Sequence, residues 1–176
     1  MNRVVITGLG VISCLGNDRS EVLSSLRASK SGLSINQDYV DNGMRCHVSG
    51  QVNPDLTTID RKMLRFMSET SAYAFLSTKE AIEDSGLSAE QISNSDVGVI
   101  VGSGTGSSRE LKNVVDTARE KGIKRVGPYA VTRTMGNTTS AAISTFFQTK
   151  GVSFSIASAC STSLHCISCL LYTSPS

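Results

Sequence analysis

No apolar run in this 176-residue chain approaches the length needed to cross a bilayer, and Met1 leads almost at once into the short β-like run Val4-Val5-Ile6. A membrane anchor and a secretory leader are therefore not expected, and the chain reads as cytoplasmic. Charge is sparse as well: 18% of residues are charged and the formal net charge is +2, too small a surplus to imply a nucleic-acid partner. The cysteines are Cys14, Cys46, Cys160, Cys166 and Cys169, an odd set without a regular pairing. Reduced thiols fit that pattern better than a disulfide framework does. Cys166 and Cys169 have the spacing of a zinc ligand pair, but no second pair completes a tetrahedral site, so no metal is expected.

Two nucleotide signatures also fail. Gly102-Ser103-Gly104-Thr105-Gly106 runs into Ser107-Ser108-Arg109, without the Lys-Ser/Thr ending of a phosphate loop. Thr7-Gly8-Leu9-Gly10 has the look of a dinucleotide turn, yet the next glycine is Gly16, no acidic residue ends a plausible second strand, and no Tyr-x-x-x-Lys pair occurs. No cofactor is expected.

What remains is a chain with 39% apolar residues, long enough for one domain with a real core. Arg3 to Thr7 reads as a buried strand closed by Gly8-Leu9-Gly10, and Asp18-Arg19-Ser20-Glu21 has a capping-box pattern ahead of Val22, Leu23 and Leu26. Residues 32–58 read as an irregular, exposed excursion. Residues 60–85 predict one long core helix that stops before Gly86. Val97 to Val101 is a second buried strand, followed by the glycine loop and by helices near 108–121 and 136–149. Alternation of strands and helices predicts an α/β fold with a mainly parallel sheet covered on both faces.

One junction carries most of the chemistry. Gly151-Val152-Ser153-Phe154-Ser155-Ile156-Ala157 alternates at the strand period, and Leu164 and Ile167 fit a helix beyond it, so Cys160 falls where a strand gives way to a helix N-terminus. Unpaired N–H groups and the positive end of the helix dipole favour a thiolate there and can receive an oxyanion. A small buried core cysteine is the competing reading. His165, five residues further on, lies off the thiol's face, and His47 has no evident acidic partner; both read as structural or surface residues. Arg61, Lys62 and Arg65 recur at helical spacing, which alone describes a solvated helix face.

Three separated blocks, Val4-Val5-Ile6-Thr7-Gly8-Leu9-Gly10, Gly102-Ser103-Gly104-Thr105-Gly106-Ser107 and Ser158-Ala159-Cys160-Ser161-Thr162-Ser163, occur in the order and spacing of the β-ketoacyl-acyl-carrier-protein synthases, which residues 1–168 closely resemble. Asp60-Arg61-Lys62, Arg65-Phe66-Met67-Ser68 and Val126-Gly127-Pro128-Tyr129 look most like the type I members. The resemblance implies a thiolase-like fold in αβαβα layers, of which this would be an incomplete N-terminal half with a mainly parallel mixed sheet. It implies a homodimer joined through the strand at 152–157, with Cys160 accepting the acyl chain. It further implies decarboxylative condensation with a malonyl-loaded acyl carrier protein. By the same resemblance Thr105 and Met135 wall the acyl tunnel, and Arg45, Arg61, Lys62, Arg65, Lys121 and Lys124 dock acyl- and malonyl-loaded carrier protein.

In the family two catalytic histidines, a lysine and a second oxyanion donor come from the C-terminal half, so these 176 residues alone are expected not to condense anything. The alternative within the same resemblance is a non-catalytic chain-length partner subunit, against which the presence of Cys160 speaks. Residues 169–176, Cys169-Leu170-Leu171-Tyr172-Thr173-Ser174-Pro175-Ser176, read as a non-native tail translated from a sequencing adaptor, outside the 1–168 domain.

Overall fold

The computed structural model describes residues 4–173, which divide into two compact units. The first comprises residues 57–75 and 87 onward together with the N-terminal run to Ile6; the second comprises Thr7–Leu56 and Leu76–Gly86.

In the second unit, helix α1 (Arg19–Arg27) begins where Asp18 accepts the Glu21 N–H, while Glu21 accepts in turn from the Asn17 N–H. The expected Asp18 cap is thus present, while the return bond of a capping box is displaced by one residue, Glu21 accepting from Asn17 rather than from Asp18. Residues 32–58, expected to be irregular, are more ordered than that. Strands β1 (Leu33–Ile35) and β2 (Val48–Gly50) form an antiparallel ribbon around the short helix α2 (Gln37–Asp41). Three-residue strands with exposed side chains carry too little periodicity to be read from sequence. Acidic side chains hold the chain that enters this unit: Leu9 N–H donates to Asp84, Val11 N–H and Arg19 N–H donate to Glu80, and Arg19 also pairs with Asp84.

The long helix expected over residues 60–85 is two helices. Asp60 accepts the Lys62 and Met63 N–H groups and starts α3 (Arg61–Leu64), and α4 (Glu69–Ser85) starts afresh after Ser68. The Ser68 hydroxyl accepts from the Ser71 N–H, the local side-chain-to-backbone bond with which serine competes against an uninterrupted helix. The stop before Gly86, at φ +71°, is as expected.

In the first unit, α5 (Ala89–Ile92), capped by a Ser88–Gln91 capping box, leads to strand β3 (Val99–Gly102). Helices α6 (Ser108–Lys121), α7 (Ala130–Thr134) and α8 (Thr138–Phe147) follow, then strand β4 (Ser153–Ile156) and helix α9 (Thr162–Thr173). β3 and β4 pair in parallel, from Val99 beside Ser153 to Gly102 beside Ile156, and α8 and α9 pack on the pair. The buried core gathers Met67, Ala72, Phe75, Ile92, Val99 and Ile143. Phe75 meets Phe146 edge-on at 4.5 Å and stacks on Phe147 at 5.3 Å, geometries favoured by the ring quadrupole. Beside these rings Ser68, Ser71 and Thr139 link their hydroxyls in a buried chain, so polar groups taken from water keep partners.

Two strand expectations are corrected. The first strand, expected buried over 3–7, is not formed by Val4, Val5 and Ile6, and Ile6 is 81% exposed; a strand is stable only with a hydrogen-bonding neighbour, and among the described residues none lies beside this run. Residue 3 lies outside the described residues. The strand before Cys160, expected buried, is exposed over its first half, Ser153 and Phe154, and half-buried over its second. The sheets found among the described residues are this parallel pair and the antiparallel ribbon, a smaller array than the mainly parallel sheet expected. Helix α9 crosses the expected boundary at residues 168 and 169 without a break and runs to Thr173, while residues 174–176 lie outside the described residues. No described helix is long and apolar enough to cross a membrane.

Candidate active site

β4 ends at Ile156, and the chain then turns sharply into α9 through a single 3₁₀ turn, Ala159–Ser161. Ala159 takes φ +50°, a left-handed conformation that costs an L-residue about 1–2 kcal/mol. The next residue is Cys160, and its side chain is exposed. A strained residue just before a nucleophile, at a strand-to-helix elbow, is how a reactive side chain is pushed out of a sheet. Within the turn, Ser161 N–H donates to Ser158 O and Thr162 N–H donates to Ala159 O. The Cys160 N–H is the donor in neither of these bonds.

Several contacts hold Ala159 against its strain. Ser158 N–H donates to Thr162 Oγ1 at 2.9 Å, and the same hydroxyl donates to Ala159 O at 2.8 Å. Thr162 is 3% exposed, so these are bonds made away from competing water. The glycine loop after β3 packs on the elbow: a Cβ placed on Gly104 would lie 3.4 Å from the Cα and O of Ala159. That is ordinary contact; of the three glycines it is Gly102 that has no room for a side chain, its Cβ falling 2.6 Å from Thr162 Cγ2, while Gly106 takes φ +68°.

The expected tunnel and docking residues fall as follows. Thr105 is exposed in the glycine loop. Met135 lines an apolar cleft of about 440 Å³ together with Lys62, Met63, Phe66, Thr138 and Ala142, so one expected tunnel residue and one expected docking residue share a cavity. Arg61 and Lys62 are exposed on α3, with Arg65 at its end; Lys121 ends α6, Lys124 sits in the 3₁₀ turn after it, and Arg45 is exposed near β2. Among the described residues none of these six cations enters an ion pair, whereas Arg19, Lys79, Arg109, Lys112 and Arg133 all do.

Cys166 is buried, and that burial pushes its thiol pKa up, with the neighbouring Cys169 adding to the effect. Burial and a raised pKa both make a thiol less reactive. No group of metal-ligating side chains occurs among the described residues. His165, expected to be a structural or surface residue, has its Nδ1 2.7 Å from Ser158 Oγ. Sequence reasoning placed it off the thiol's face but missed this bond; the signal was a serine and a histidine seven residues apart across the turn.

Residues 1–171 match the β-ketoacyl synthase N-terminal domain, and the chain belongs to that family. It is 52% identical over 170 residues to 3-oxoacyl-[acyl-carrier-protein] synthase 1 of Escherichia coli and 48% identical to the enzyme of that name from Haemophilus influenzae. Each alignment covers 95% of this chain and 42% of the relative, so the chain spans under half the length of the curated relatives it matches. Among solved structures, a β-ketoacyl synthase from Burkholderia phymatum superposes with a TM-score of 0.81 at 24% identity, over 99% of this chain and 45% of that one. The α/β fold is accordingly the thiolase-like fold of the ketosynthases, present in part.

Proposed function

We propose that Cys160 is the acyl-accepting nucleophile of a β-ketoacyl-acyl-carrier-protein synthase of fatty acid synthesis, and that residues 1–168 are native domain with a foreign tail from 169. The thiolate attacks the carbonyl of an acyl thioester, the bond to the carrier sulfur breaks, and the acyl group stays on Cys160 while the carrier thiol leaves. Malonyl carrier protein then loses carbon dioxide, and its carbanion attacks the acyl-enzyme carbonyl. Cys160 departs as thiolate, leaving a β-ketoacyl thioester on the carrier. One difficult condensation becomes two easier steps. The Cys160 N–H, free of the turn's own bonds, is one donor for each tetrahedral oxyanion. The observation that carries this reading is the exposed thiol immediately after a left-handed Ala159.

Arg45, Arg61, Lys62, Arg65, Lys121 and Lys124 form the docking set for the acidic carrier protein, their charge unspent on ion pairs among the described residues. Thr105 and Met135 bound the acyl chain. The edge of β4 that β3 leaves uncovered suits pairing with its own copy in a homodimer, and the reaction belongs to the cytoplasm. A carbanion-forming step needs histidine and lysine groups that neither His47 nor His165 supplies, so the 176 residues alone acylate without condensing.

The test is incubation with acyl carrier protein charged with a labelled acyl chain, followed by peptide mass spectrometry. A stoichiometric acyl mass on the Cys160 peptide, abolished in Cys160→Ala, is expected. Equal labelling of all five thiols refutes it.

A further inference from the structure

Among the described residues His165 is the one titratable side chain bonded to the elbow itself, and the nucleophile reading gives it no task. Its Nδ1 lies 2.7 Å from Ser158 Oγ, one residue before the strained Ala159, and its Cα lies one turn into α9. A second tie runs beside it, from Ser158 N–H to Thr162 Oγ1. Ser158 is thus strapped to α9 at two points, one through its backbone and one through its side chain, and the strap closes over Ala159 and Cys160. Either neutral tautomer of the imidazole completes the side-chain bond, because the serine hydroxyl can donate or accept.

We propose that His165 is a positioning residue for the nucleophile: its bond to Ser158 keeps Ala159 left-handed and so keeps the Cys160 thiol at the head of α9. Without the bond, Ser158 keeps only its backbone tie, Ala159 gains access to ordinary φ values, and the thiol and its N–H lose their shared orientation. The backbone tie survives, so the elbow loosens rather than unfolds. This inference rests on Cys160 being the nucleophile and adds to it how that nucleophile is held.

The test measures second-order rate constants for iodoacetamide at each cysteine by peptide mass spectrometry, in wild type, His165→Ala, His165→Asn, Ser158→Ala and the double variant Ser158→Ala/His165→Ala. Cys46 is exposed and serves as the internal reference, and the buried Cys166 reports any unfolding. A hydrogen bond of ordinary net worth corresponds to about a fivefold change in rate. His165→Ala and Ser158→Ala should each slow Cys160 by about that factor with Cys166 still protected. The double variant should be no slower than either single variant, and His165→Asn, which keeps a polar atom near Nδ1, should recover most of the rate. An unchanged Cys160 rate in His165→Ala, or additive losses in the double variant, overturns the proposal. A wild-type Cys160 that reacts no faster than Cys46 sinks the nucleophile reading and this proposal with it, and is distinguished by appearing before any substitution is made.

Discussion

Alanine at Gly102 would strike the elbow from beneath. Gly102 ends β3 opposite Ile156, and a Cβ there would lie 1.9 Å from Ile156 O and 2.6 Å from Thr162 Cγ2. A carbon and a carbonyl oxygen tolerate about 3.3 Å, so the strands must part by about 1.4 Å at this end. The obstacle is backbone, which cannot swing aside as a flexible side chain would. Overpacking of this kind costs roughly 1–3 kcal/mol, and one lost ladder bond adds about 1 kcal/mol. Displacement of Thr162 weakens its bonds to Ser158 and Ala159 and adds about 1 kcal/mol more. Against this, alanine recovers only about 0.4–1 kcal/mol from the unfolded chain. A net loss of about 2–5 kcal/mol follows, a large share of the total stability of an ordinary domain.

Gly127→Ala is the matched control, since nothing lies within 4 Å of a Cβ at that position. Urea denaturation of both variants, with the rate of Cys160 labelling measured in parallel, checks the reasoning. Gly102→Ala should lower the midpoint sharply and slow Cys160 labelling, while Gly127→Ala should be neutral or slightly stabilising. A Gly102→Ala protein within 1 kcal/mol of wild type, labelled at the wild-type rate, would show that the elbow does not depend on this close approach.

Lys62→Glu combined with Arg65→Glu, in a full-length synthase carrying these residues, should raise KM for acyl carrier protein at least tenfold while leaving a small thioester analogue unaffected; equal losses with both substrates would count against docking. Asp84 is held below the usual carboxylate range, chiefly by the Leu9 N–H and then by Arg19. Its stabilisation is therefore complete above the unfolded value near about 4 and disappears as pH falls through the lower folded value, so Asp84→Asn should flatten the acid limb of a stability-against-pH curve. Glu110, whose carboxylate is 11% exposed, pairs with Arg133 at 3.2 Å, while Arg133 Nε also donates to Met67 O. Glu110→Ala should cost about 1–2 kcal/mol by denaturant titration, because a nearly buried partner is lost while the half-exposed arginine can turn to water. Cys166 should resist alkylation at neutral pH and label readily in denaturant, as expected for a thiol whose pKa is raised by burial.

How much of this was legible beforehand depended on whether the signal was local. The cap at Asp18, the stop at Gly86 and the span of α6 from residue 108 to 121 follow from chemistry within a few residues, and all are found where the pattern puts them. Val4-Val5-Ile6 is different, because apolar alternation states that a segment wants a neighbour and not whether one is at hand. Ser68 marks a second limit. A helix-favouring composition over residues 60–85 outweighs one serine in any window average, yet that hydroxyl, bonded to Ser71, divides α3 from α4.

The elbow combines both kinds of information. That a cysteine follows a strand and precedes a helix is local and was readable, as was the lack of bulk at 102, 104 and 106. That Ala159 rather than a glycine takes the left-handed conformation was not. A glycine there would adopt φ +50° without penalty, but it would also leave that conformation without penalty, and the thiol would inherit the freedom. An alanine held by Thr162, by contact with Gly104 and by the Ser158–His165 bond is committed by several partners at once. On this argument Ala159→Gly should leave stability nearly unchanged yet slow Cys160 labelling, and a variant labelled at the wild-type rate would show that the strain contributes nothing to how the thiol is presented.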